Sequence, residues 1–236
     1  MQIEQTQVMI STPDGQMPAF LCTPTAAIQQ AGVILLMEGF GLTKHIQDVA
    51  ERIAKEGYLV LAPDLYYREL PNNKFGYDEV EQARAMMFRL DFEKSVDEDI
   101  RAAVAYVKSQ LEPSSLVGVT GFCLGGGLAF LSACKLSDQI AAAAPFYGVI
   151  LDQWLDAAVD IQVPMYLFFG DSDPFIPQQR VRQMQSRLEE LGKDYQLKVY
   201  THADHGFFCH ERSSYNLEAA EDSWHKLTQF FDQHLH

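Results

Sequence analysis

The chain has no cysteines spaced as C-x-x-C. Its four, Cys22, Cys123, Cys134 and Cys209, are scattered through 236 residues. That scatter excludes the disulfide framework that staples small secreted domains, and it leads us to expect reduced thiols in a cytoplasmic protein. Basic residues are scarce: 18 Lys and Arg stand against 32 Asp and Glu, for a formal net charge of -14. So acidic a chain is poorly suited to general binding of nucleic acid or of an anionic membrane surface. A local basic pocket for an acidic small molecule remains compatible with it. No apolar run approaches the ~18 residues of a membrane helix. The opening MQIEQTQVMISTPDG has no charged segment followed by an apolar one, the pattern a secretory leader would carry. No repeat, low-complexity tract or Pro/Ser-rich linker divides the chain. The expectation is one domain over 1–236, long enough to bury a sizeable core without staples.

What is present is an alternation of two hydrophobic patterns. QTQVMIS and MPAFLCT, separated by Pro13-Asp14-Gly15, read as an antiparallel hairpin. Short apolar runs follow: GVILLM (32–37), YLVLA (58–62), LVGVT (116–120), AAAAPFYG (141–148), PMYLFFG (164–170) and YQLKVY (195–200). Runs without alternation are what strands buried on both faces require. Helical periods lie between them in IQDVAERIAKEG, DEVEQARAMMFRL, VDEDIRAAVAYVKSQL, LGGGLAFLSACK, PQQRVRQMQSRLEELG and LEAAEDSWHKLTQFFDQHL. RELPNNKFGY (68–77) has loop character. The pattern predicts an α/β fold: a mainly parallel sheet with an N-terminal antiparallel hairpin and helices on both faces. Ligands in such folds sit beyond the carboxyl ends of the strands, so candidates are sought directly after strands.

Cys123 is one. In Gly121-Phe122-Cys123-Leu124-Gly125 it occupies the nucleophile position of a G-x-nucleophile-x-G elbow, between a strand and a helix. The tight turn needs positions without side chains at its flanks. It would set the sulfur at a helix N-terminus, where the dipole favours a thiolate, and would aim the Leu124 N–H at an oxyanion. The competing reading is a small packed cysteine. Asp171 or Asp173 in FFGDSDPFIP could orient a histidine, or could serve only as a turn or cap residue. His205, or alternatively His202, follows QLKVY and could act as general base. The chain order Cys, Asp, His is that of α/β-hydrolase triads. Glu38 directly follows GVILLM. The neighbouring Gly39 to Lys44 nearly spells a dinucleotide fingerprint, with Asp64 as ribose acid, but Lys44 replaces the third glycine and Glu38 would oppose a pyrophosphate. His202, His205, Cys209 and His210 do not have the spacing of a structural zinc site.

Taken together, MEGFGLTKHIQDVAERIAKEGYLVLAPDLYYR, GFCLGG, FYG, GDSDPFIP and ADHGFF make the chain resemble the dienelactone hydrolase family of α/β-hydrolases, from about Asp14 to the C-terminus. The resemblance implies Cys123 as nucleophile, Asp173 as orienting acid through the D-x-x-[IV]-P frame, and His205 as base through the H-G-F frame. It implies that Glu38 pairs with the resting thiol and that Gly39 shares an oxyanion hole with Leu124. Met37 departs from the histidine many relatives carry before the glutamate. Cys209 and His210 stand where a substrate-binding arginine is sought in enzymes that hydrolyse dienelactone itself. Arg84 and Arg212, with Tyr147 and Phe207, are the substrate-binding candidates. Arg89 is a further cation on the earlier helix. The activity so implied is hydrolysis of a carboxylic ester or lactone through a thioester, without cofactor or metal, by a monomer or small homo-oligomer whose partner is its small-molecule substrate. The alternative is a non-catalytic binding protein of the same fold.

Overall fold

In the computed structural model, residues 1–25, 31–69 and 74–236 are described. The sequence-predicted loop 68–77 therefore lies partly outside the described residues. Eight strands form one sheet: β1 (Ile3–Thr12), β2 (Gly15–Pro24), β3 (Ala31–Leu36), β4 (Leu59–Pro63), β5 (Leu116–Phe122), β6 (Ala142–Phe146), β7 (Met165–Gly170) and β8 (Tyr195–Tyr200). Their order is β1-β2-β4-β3-β5-β6-β7-β8. The first two pairings are antiparallel and all the others parallel. The fold is thus the expected one, with the hairpin at one edge. Strands β3 and β4 are buried at every position, and β1 on the edge is mostly exposed. Burial on both faces explains why β3 and β4 read as unbroken apolar runs.

The helices are α1 (Lys44–Lys55), α2 (Val80–Met87), α3 (Phe92–Lys94), α4 (Arg101–Ser109), α5 (Leu124–Lys135), α6 (Asp152–Ala157), α7 (Gln178–Glu190) and α8 (Leu217–Leu235). Helix α1 begins at the N-cap Thr43, whose side chain accepts the Ile46 N–H. It meets α8 where the Arg52 guanidinium lies 4.1 Å from the Trp224 ring. Helix α5 is buried at all but its last residue, which accounts for its lack of a polar face.

Three details differ from the sequence reading. The 141–148 run stops being strand at Phe146, because Tyr147 takes a positive φ of 35° and leaves the ladder. The short α6 was not anticipated. Between α3 and α4 the helix widens into a π-helical turn at Ser95–Ile100. There Asp99 is fully buried and receives Arg68 Nη1 at 2.5 Å, Arg68 Nη2 at 2.8 Å and the Tyr67 hydroxyl at 3.0 Å. Arg68 Nε also reaches Asp14 in the hairpin turn at 2.5 Å. One guanidinium therefore ties the hairpin, the segment after β4 and the π turn together.

His45 in α1 is buried, with both ring nitrogens lacking hydrogen-bond partners, against the rings of Phe122 and Phe208. Burial pushes its pKa from 6.5 down to about 4, with His210 and Arg52 nearby adding to the effect and Asp48 opposing it. Below 6.5 the unfolded chain therefore binds a proton that the folded chain refuses, so stability falls as pH drops toward 4.

Two outcomes follow. Arg68→Met leaves the buried Asp99 carboxylate without its cation and should cost about 3–5 kcal/mol in urea unfolding at pH 7. A change within experimental error would contradict the tie. His45→Leu should flatten the loss of stability between pH 6.5 and 4, a term of about 3 kcal/mol at the acid end. An unchanged acid slope would show that the loss has another source.

Candidate active site

Every candidate named from the sequence except Arg84 and Arg89, which belong to α2 and the turn after it, lies where a strand ends or on the segment that follows it. β3 delivers Glu38 and Gly39, β5 delivers Cys123, β6 delivers Tyr147, β7 leads to Asp173, and β8 leads to His205, Phe207 and Arg212. The three non-glycine residues with positive φ among the described residues, Cys123, Tyr147 and His202, all lie just past these strand ends. Such conformations persist only where surrounding contacts enforce them.

Cys123 has φ 55° and ψ −111° between β5 and α5. Its N–H donates to the Phe146 carbonyl at 3.1 Å, and its own carbonyl accepts the Gly127 N–H at 3.1 Å. The turn can be this tight because α5 lies directly against β3: the Gly125 N–H donates to the Met37 carbonyl at 3.0 Å, and a side chain on Gly125 would collide with the Leu36 backbone. Leu124 opens α5, so its N–H has no acceptor within the helix.

The His205 ring and the Gly39 N–H both favour the thiolate form of Cys123. Asp173 Oδ2 lies 2.7 Å from His205 Nδ1, which leaves Nε2 to face the thiol. Asp173 Oδ1 accepts the N–H groups of Phe175 at 2.8 Å and Ile176 at 3.1 Å. These bonds fix both the carboxylate and the histidine tautomer it favours. The alternative Asp171 serves as a turn residue: its Oδ1 accepts the His202 backbone N–H at 2.7 Å and the Ser172 hydroxyl at 2.9 Å. Burial pushes the Cys123 thiol up, but the charge and hydrogen bond of His205 outweigh it, and the net shift is downward. Burial opposes the His205 imidazolium, yet Cys123 and Asp173 carry its pKa upward. The pair is thereby biased toward thiolate and imidazolium.

Glu38 is wholly buried. Its Oε2 accepts the Tyr77 hydroxyl at 3.1 Å, and its Oε1 lies 3.6 Å from Arg212 Nη1. Burial raises its pKa, while Arg212, Tyr77 and His205 pull the other way. Its effect on Cys123 is exerted through charge. Arg212 reaches Glu38 by passing across Gly206, where an added Cβ would meet its guanidinium. Tyr147 is buried with its hydroxyl unpartnered and its ring 5.2 Å from that of His205. Phe207 packs behind it at 5.1 Å. Arg84 stands apart from these contacts, exposed on α2 with its guanidinium over Phe88.

The sequence reading missed two tyrosines. The Tyr66 hydroxyl donates to the Gly39 carbonyl at 2.7 Å and so steadies the segment that carries the Gly39 N–H. Tyr77 holds Glu38. Both belong to stretches already singled out, PDLYYR and the loop after it, but neither sits in a spacing that marks it. The Gly39–Lys44 segment shows no phosphate cradle: it turns back through a Glu38–Gly41 bridge and ends in the Thr43 cap of α1. Among the described residues, no group of three or more His, Cys, Asp or Glu side chains is arranged to hold a metal, and no helix is long and apolar enough to cross a membrane.

Comparison with known proteins agrees with this fold. The family model described as "Dienelactone hydrolase family" matches residues 17–235. A protein of Synechocystis sp., provisionally named a carboxymethylenebutenolidase, is 35% identical over 99% of this chain and 98% of its own length. The crystal structure of a provisionally named dienelactone hydrolase from Klebsiella pneumoniae superposes with a TM-score of 0.92 at 28% identity, covering 99% of this chain and all of that one. A dienelactone hydrolase-like promiscuous phosphotriesterase from metagenomic libraries shares the fold, with a TM-score of 0.83 at 20% identity and full coverage of both chains. The family match over residues 17–235 and the 35% identity over nearly the whole length of both chains place this chain in the dienelactone hydrolase family.

Proposed function

We propose that the chain, as one catalytic domain, hydrolyses carboxylic esters or lactones through a thioester on Cys123. The observation that carries this reading is the hydrogen-bonded His205–Asp173 pair coupled to Cys123 on a strained turn. The Cys123 thiolate attacks the substrate carbonyl carbon, and the carbonyl oxygen becomes an oxyanion. The Leu124 N–H is free to receive it, and the Gly39 N–H, which faces the sulfur at rest, turns to the oxygen as the sulfur's charge is spent. The carbon–oxygen bond to the leaving group then breaks, and His205 gives that oxygen its proton. In a lactone the leaving oxygen remains attached to the acyl chain. His205, now neutral, takes a proton from water as the water attacks the thioester. The acid departs, and Cys123 returns as thiolate opposite a protonated His205. Asp173 stays ionised and keeps the ring oriented. The chemistry needs no cofactor. An exposed Phe175, its ring 5.0 Å from that of His205, gives the mouth an apolar wall for a small organic substrate. A reducing, cytoplasmic compartment suits a nucleophile that must stay a free thiol.

Cys123→Ala should abolish turnover of small activated esters, and His205→Ala should lower kcat/KM by about 100- to 10,000-fold. His202→Ala should leave turnover near wild type. Mass spectrometry of quenched reactions should find the acyl group on Cys123. An acyl group on another residue, or undiminished turnover by Cys123→Ala, would overturn the assignment.

The pH profile should also be diagnostic. With the thiol lowered below 9.0 and the imidazole raised to about 10, the ion pair is the resting form in the interval between the two. With a neutral ester, kcat/KM should fall on the acid side as the thiolate gains a proton and on the alkaline side as the imidazolium loses one. A single rise centred near the ordinary thiol value of about 8.5 would contradict the ion pair.

A further inference from the structure

We propose that Tyr77 is a positioning residue: its hydroxyl holds Glu38 as a buried carboxylate and, through that charge, restrains ionisation of Cys123 in the unliganded enzyme. The inference rests on the reading of Cys123 as nucleophile. Its geometric basis is the hydrogen bonding of Glu38. The buried carboxylate receives the Tyr77 hydroxyl on Oε2, while Oε1 has no hydrogen-bond partner and stands 3.6 Å from Arg212 Nη1, beyond hydrogen-bond reach. Burial works against the Glu38 charge; the Arg212 charge offsets it most, and Tyr77, its one hydrogen-bond donor, adds to that support.

Tyr77 is itself held on several sides. The Cys209 thiol donates to its oxygen at 3.2 Å, and Thr43 Oγ1 lies at 3.3 Å. Burial raises the Cys209 pKa to about 11, so its proton stays in place to be donated. The chain of bonds accordingly has one direction, from thiol to phenol to carboxylate. The Tyr77 ring packs edge-on against Phe40 with centroids 4.8 Å apart. The backbone of Phe75 bonds the Phe40 carbonyl at 2.9 Å and anchors the segment. Cys209, which occupies the place where an arginine was sought, here supports the tyrosine.

The charged and titratable groups around Glu38 are Arg212, Tyr77, His205, Cys123 and, more weakly, Glu211; Tyr147 and Cys209 also feel its charge. Around Cys123, His205 and the Gly39 N–H favour the thiolate, and Glu38 opposes it. Removing the Tyr77 hydroxyl lets Glu38 take up a proton at higher pH. Cys123 then faces less negative charge and ionises at lower pH.

The test is the rate of Cys123 alkylation by iodoacetamide from pH 5 to 9.5, read by peptide mass spectrometry on the full chain. Tyr77→Phe keeps the ring on Phe40 and should react about three- to tenfold faster than wild type near pH 6, converging with it above about pH 9, where both are fully ionised. Cys209→Ala should shift the profile in the same direction by less, and it carries the test should Tyr77→Phe fold poorly. Superimposable profiles, slower reaction at pH 6, or equal acceleration at every pH would overturn the proposal, the last because it signals an opened pocket. If wild-type Cys123 itself titrates like an ordinary thiol, the nucleophile reading falls and takes the inference with it. If only the variants fail to shift, the inference alone falls.

Discussion

The contact between α5 and β3 at Gly125 is the constraint on which the candidate site depends. Because nothing but hydrogen stands between the helix backbone and the Leu36 carbonyl, α5 can begin immediately after β5. Cys123 is then forced into a left-handed turn with its sulfur clear of both elements. The same contact places the first turn of α5 beside the end of β3, so Glu38 and the Gly39 N–H arrive next to the sulfur. A bulkier residue at position 125 would separate helix from strand, relax the turn, and move the β3 end out of reach. Fold and site are in this sense one packing problem, solved where three strands end together.

Charge does the rest. In a chain of net charge -14, the site gathers its cationic partners, His205 and Arg212, around two groups that carry or acquire negative charge, Glu38 and Cys123. Each of these is buried or nearly so, and each would be costly alone. Asp173 anchors one side of the set through His205, and Tyr77 anchors the other through Glu38. His205 and Glu38 act on the Cys123 thiol in opposite directions, and in the proposed mechanism that competition sets how reactive the sulfur is before substrate arrives.

The fold was legible because β3 to β7 are buried strands whose apolar runs admit few alternatives, and because glycine spacing around Cys123 has a steric cause visible in the letters. The β-strand rule also located Glu38, Cys123, Asp173 and His205 as residues following strands, and the structure brings these into contact or close range. Choosing Asp173 over Asp171 needed the motif frame, since two aspartates in one turn differ only in where the backbone points them. Other features depend on distant partners. The π turn forms around Asp99 because Arg68, from another element, demands a bidentate acceptor there. Tyr77 lies in a polar loop without periodicity and acquires meaning only when that loop returns to β3. Arg84 looked equivalent to Arg212 as a cation, but the helix turns it outward to Phe88, while the path across Gly206 carries Arg212 inward.

The central claim is that Cys123 rests as a thiolate paired with a protonated His205. It is tested most directly by the thiolate ultraviolet absorbance near 240 nm, taken as the difference between wild type and Cys123→Ser across pH. The ion pair predicts a thiolate signal that appears below the free-thiol value and is lost only at more acid pH. A signal that first appears near the free-thiol value of about 8.5 would contradict it.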